Sequence, residues 1–151
     1  MDVRMIVLSC SLLFCLSCQN TEQKTLPPAS ATSRWKPPVA GTTIAAYEKR
    51  IAEDKLNKLY FRVSVTSTPQ SLQGIYNIQL EYGYNINKTQ ITLPEWVNHA
   101  VLRPRIKAGS AAYQCFIGFD AGDGIFHELY EVTAVNGTIR MKKTKDYVIN
   151  H

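Results

Sequence analysis

Beyond residue 18 this chain holds a single cysteine, Cys115, so no internal disulfide can staple it and its stability must come from a packed core. Histidine is as scarce. His99, His127 and His151 stand far apart, none at helical i, i+4 spacing and none beside a cysteine pair, so no zinc-ligand pattern exists. No apolar run approaches the roughly 20 residues that cross a bilayer as a helix. There is no Gly-x-Ser-x-Gly, no phosphate loop and no pair of acids in a recognisable catalytic context, and no enzyme or cofactor is expected. Acidic residues number 12 against 17 basic, a net charge of +5. That favours a modest attraction for anionic surfaces such as lipid headgroups or cell-wall polymers. Nucleic acid is not an expected partner, since no reading motif occurs, and no small-molecule substrate is evident.

What the chain does have begins at its start. Met5 to Leu16 is apolar and follows Arg4, a length that suits the h-region of an export signal behind a basic n-region. Leu16-Ser17-Cys18 closes the run. It resembles the lipid-attachment box of bacterial lipoproteins, with a signal peptide over residues 1–17 and Cys18 as the acylated residue. The resemblance implies a diacylglycerol thioether on Cys18, cleavage before it and acylation of the new amino terminus. Two or three acyl chains, at roughly 0.8 kcal/mol per buried methylene, hold a protein on a membrane essentially permanently. The box departs from the family pattern at Cys15, where an aliphatic residue is usual. The alternative is an ordinary secretory signal cut near Ser17, with Cys18 incidental. Asn20, in place of a retention aspartate, favours the outer membrane.

Residues 18–41 read as a tether. Pro27-Pro28 and Pro37-Pro38 lie among Ser, Thr and Ala, and few residues there suit a core. Its roughly 23 residues span ~70 Å when extended at ~3.1 Å per residue. Trp35, between Arg34 and Lys36, is its one residue with binding character. The remainder, 42–151, has the size of one domain, and an apolar fraction of 45% is normal for a globular chain.

Within that domain, Ile44, Tyr47 and Ile51 recur at helical spacing, which predicts an amphipathic helix from Thr43 to Lys58 capped by Thr42 or Thr43. After Leu59 the apolar period becomes two. Candidate strands run over 59–65, 76–82, 88–93, 100–107, 112–119, 125–135 and 138–141, with a last piece near Tyr147, and Asn136-Gly137 predicts a type I′ hairpin. The fold class expected is therefore mainly β: an antiparallel β-sandwich, immunoglobulin-like or transthyretin-like, with one N-terminal amphipathic helix. A small open barrel is the alternative.

Binding candidates follow from residue type. Trp96, Arg103 and Arg105 combine with Pro104, a mark of an edge strand, to make a protein-contact patch. Trp96 serves equally as a plug for the core. Asp120 to Gly124 is explained by a turn and lacks the acids of a calcium loop. Cys115 lies in an apolar strand and reads as a buried small hydrophobe. The cations of Arg140 to Lys145 protect a sheet edge.

Anchor, spacer and small β-domain resemble, in layout, the accessory lipoproteins of bacterial secretion machines, including the transthyretin-like lipoprotein of type VI secretion. The resemblance implies a binding or structural subunit of a periplasmic or outer-membrane assembly, with envelope proteins and the membrane as partners. A second class, an inhibitor or immunity lipoprotein, would insert a loop such as Thr92 to His99 into a toxin or wall enzyme. A hydrolase or sugar-binding site using Glu95, Asp120, Asp123 and His127 is the third.

Overall fold

The computed structural model describes residues 34–147. The signal peptide, Cys18 and the tether as far as residue 33 lie outside the described residues. The rest is mainly β: two four-stranded antiparallel sheets and two short 3-10 turns.

The first sheet is a meander of β1 (Thr43–Arg50), β2 (Tyr60–Ser67), β3 (Ile75–Tyr82) and β4 (Asn85–Thr92). The second repeats the plan with β5 (Arg103–Ala108), β6 (Gln114–Asp120), β7 (His127–Val135) and β8 (Thr138–Lys143). Alternation explains the strands directly. Phe61, Val63 and Val65 of β2 and Tyr76, Ile78 and Leu80 of β3 are buried, while their neighbours face outward. Cys115, Ile117 and Phe119 of β6, with Leu129 and Val132 of β7, complete a core common to both sheets. The sheets also meet along β1 and β5, the first strand of each. The chain changes sheet only once, between β4 and β5. Immunoglobulin-like and transthyretin-like sandwiches exchange strands in Greek-key fashion, so neither expected strand order describes this chain.

The expected helix is absent. Thr43–Arg50 is instead the outer strand of the first sheet, paired with β2. A bulge between Thr43 and Ala45 shifts the register by one residue, so Ile44 and Tyr47 both pack toward the core although three residues apart. A bulged strand thus imitates one turn of helical spacing. The remaining residues, 51–59, form a turn organised by Asp54, whose carboxylate accepts the N–H groups of Leu56, Asn57 and Leu59. Those bonds hold the Asp54 carboxyl below its ordinary range.

The domain also begins before Thr42. Trp35 packs against the core, and the Ser67 hydroxyl donates to the Val39 carbonyl at 2.5 Å. The last stretch of the expected tether, from Arg34, therefore lies on the domain. Asn136 and Gly137 adopt φ of 51° and 76°, the type I′ hairpin expected from their sequence.

A second bulge lies between Ile117 and Gly118 of β6 and their β7 partners. A β-carbon at Gly118 would collide with the His127 carbonyl and the Phe126 ring. Backbone, unlike a flexible side chain, cannot step aside. Gly118→Ala should therefore cost roughly 1–3 kcal/mol, the range of overpacked cores. A urea titration with an unshifted midpoint would show that the strands do not approach so closely.

Candidate functional site

Antiparallel connection gathers the chemically distinctive residues at one end of the two sheets. The β4–β5 crossover, the β6–β7 hairpin, the segment after β8 and the Arg34–Gly41 segment all lie there. Trp96 is the centre of this end. Its half-buried indole meets Phe119 edge-on at 5.2 Å between centroids, with His127 at 4.9 Å and Tyr147 at 5.8 Å. The His127 ring stacks on Phe119 at 5.1 Å and 16°. Trp96 thus plugs the end of the core, one of its two expected roles, and the crossover around it is fixed by aromatic contact.

The histidine is oriented by a carboxylate. His127 Nε2 lies 3.0 Å from Asp123 Oδ2, while Asp123 Oδ1 accepts the Ile125 N–H. The imidazole bond is the main cause that lowers the Asp123 carboxyl below its ordinary value, followed by the Ile125 N–H. Asp120 Oδ1 accepts the N–H groups of Gly122 and Gly124, so the acids of this hairpin bond their own loop. Among the described residues, no group of three or more His, Cys, Asp or Glu is placed to hold a metal ion.

Two clefts flank the crossover and share Ala100 and Val101 in their walls. The smaller, about 260 Å³, lies between Leu72–Gly74 and Leu93–Trp96. The larger, about 500 Å³, is bordered by Arg34, Trp35, Arg103 and Asp120. Arg34 donates to the His99 carbonyl at 2.9 Å, which ties the Trp35 segment to the crossover. Arg105 pairs with Asp120 at 3.3 Å. Arg34 and Arg103 have no carboxylate partner among the described residues.

Of the residues that the sequence singles out, Trp35 and Arg103 therefore share one cleft. Arg105 stands beside it, engaged by Asp120. Trp96 lines the other cleft with its indole turned into the core. Glu95, Asp120, Asp123 and His127 also come to this end, and only Asp123 and His127 are paired directly. Cys115 is fully buried, and desolvation pushes its thiol up to about 12. Tyr147, read from the sequence as part of a last strand piece, lies beyond β8 and is not in a strand, and its place in the plug escapes sequence reasoning. Only its aromatic character signals it. Comparison with family models, with curated proteins and with solved structures gives no match.

The Asp123–His127 contact predicts an acid-side dependence of stability. A carboxyl lowered by folding stabilises fully above its ordinary value of 3.8 and loses that contribution as the pH falls through its folded value. Asp123→Asn should lower stability at neutral pH and flatten the decline below about pH 4. Denaturant midpoints measured across that range test this, and equal pH slopes for both proteins would exclude the contact.

Proposed function

We propose that this chain is a lipid-anchored envelope protein acting by binding, as an accessory or structural subunit of a periplasmic or outer-membrane assembly such as a secretion system. In this reading the two sheets form a sandwich with its own strand order, held from the outer membrane by acyl chains on Cys18 and the proline-containing spacer. One observation carries the binding assignment: Arg34 and Arg103 border a cleft beside Trp35 without a carboxylate partner among the described residues. Tryptophan and arginine dominate interface energetics, and guanidinium groups take carboxylates in bidentate fashion. The partner that suits this cleft is a protein segment carrying an exposed acid.

Cys18→Ala should release the protein from membranes into the soluble fraction, and continued membrane attachment would remove the lipid anchor from this proposal. Gentle crosslinking followed by pull-down should recover a defined envelope complex. Arg103→Ala, at an exposed side chain, should reduce that recovery about tenfold, equivalent to roughly 1.4 kcal/mol, without altering the fold. Undiminished recovery would place the interface elsewhere.

The inhibitor reading draws on a different feature, the crossover itself. Val97 is 60% exposed at its tip, and Asn98 and His99 adopt φ of 58° and 49°. Residues held in this sparsely populated region concentrate at functional sites. It predicts one tight soluble partner whose binding is lost with Val97→Asp, while Arg103→Ala leaves it intact.

A further inference from the structure

The edges of the two sheets are not protected alike. Strand β1 lies against β5. Strand β5 also carries Pro104 with Arg103, Arg105 and Lys107, and β8 carries Arg140, Lys142 and Lys143. Prolines and charges of this kind keep edges from pairing with other chains. Strand β4, Asn85–Thr92, has neither proline nor bulge, and its one charge is Lys88.

Over most of its length it is also uncovered, although Ile91 is buried and the Asn85 amide donates to the Gly137 carbonyl at 3.3 Å. Strand β8 packs over β3, and six consecutive β4 residues, Asn85 to Gln90, are exposed. The core-side row of Asn85, Asn87 and Thr89 is accordingly polar. Ile86 and the neighbouring Tyr84 are 54% and 77% exposed. Among the described residues, only β3 pairs with this strand.

The hydrogen-bonding phase of that open edge is defined. The Leu93 N–H donates to the Gly74 carbonyl at 2.9 Å, and the same register continues along the hairpin. Backbone groups of Asn85, Asn87, Thr89 and Ile91 therefore point to β3. Those of Ile86, Lys88, Gln90 and Thr92 point outward.

We infer that β4 pairs antiparallel with β4 of a second copy of this chain, joining two first sheets into one continuous sheet across a two-fold axis at Thr89. Side-chain phase and charge select that axis. Opposed residues must share a sheet face, so the axis passes through a residue rather than between two. Only axes at Lys88 or Thr89 use nearly the whole strand. An axis at Lys88 sets two ammonium groups opposite each other, which is destabilising. The Thr89 axis sets Lys88 opposite Gln90 and Ile86 opposite Thr92, and these are the residues with outward-pointing backbone groups.

This geometry has a register-specific test. Across the Thr89 axis the two Thr89 residues form a non-hydrogen-bonded pair with Cα atoms about 4.5 Å apart, inside the usual ~4.4–6.8 Å span of a disulfide. The two Asn87 residues are offset by four positions, roughly 13 Å. Under mild oxidation the full chain bearing Thr89→Cys should cross-link, while Asn87→Cys should give only the background of the unaltered chain, whose native cysteines are present throughout.

Adding Lys88→Pro to Thr89→Cys removes an outward N–H and no bond to β3. Cross-linking should fall about tenfold with circular dichroism unchanged. Lys88→Gln, which keeps the N–H, should cross-link as Thr89→Cys does. Ile86→Lys, which adds charge to the edge without touching its backbone, should also suppress it and gives an answer if the proline variant does not fold. Equal cross-linking at positions 87 and 89, no cross-linking at 89, or cross-linking that survives both Lys88→Pro and Ile86→Lys would each overturn the proposed pairing.

Discussion

The seat of Trp96 is the contact on which the rest of the site depends. Each sheet is a self-contained meander, and one crossover joins them. Such a connection must pass over an open end of the core, where apolar side chains would otherwise meet water. The indole closes that end against Phe119, His127 and Tyr147. The same contact fixes the crossover backbone, and with it the His99 carbonyl that holds Arg34 and therefore Trp35. Both clefts are consequences of how this plug is seated.

Bulges do comparable work elsewhere. In β1 the extra residue turns Ile44 and Tyr47 to the same side of an outer strand, and opposite β6 it allows Leu129 and Val132 to share the core at a three-residue interval. Each solves a local packing problem by breaking the period of two. Each also erases the signal by which a strand is recognised from sequence. The expected helix over Thr43–Lys58 arose from this ambiguity, since an interval of three belongs equally to a helix face and to a bulged strand.

The four outer strands show how much of the molecule is arranged against unwanted pairing. Charges on β8, a proline on β5 and the contact of β1 with β5 protect three of them, whereas most of β4, Asn85 to Gln90, is exposed and, Ile86 apart, polar. Apart from the buried Ile91 this strand is covered on neither side and has no use for alternation, which is why Asn85 to Gln90 read so poorly as part of a core. The proposed anchor and binding cleft concern Cys18 and the cleft bordered by Arg34, Trp35, Arg103 and Asp120, none of them in β4, and the proposed self-pairing concerns this edge alone. The two are physically independent.

By itself the sequence determined the strand-rich class, nearly all the strands after Leu59, the Asn136-Gly137 turn and the burial of Cys115, because each depends on local periodicity or on the φ preference of one or two residues. It also pointed to Trp35, Trp96, Arg103 and Arg105 by residue type. Only the tertiary structure decided that β1 is a strand, that the sheets follow one another without Greek-key exchange, and that Trp35 and Arg103 share a cleft while Trp96 faces inward. These depend on which segments meet across long stretches of chain, and neither propensity nor spacing encodes a partner that lies sixty residues away.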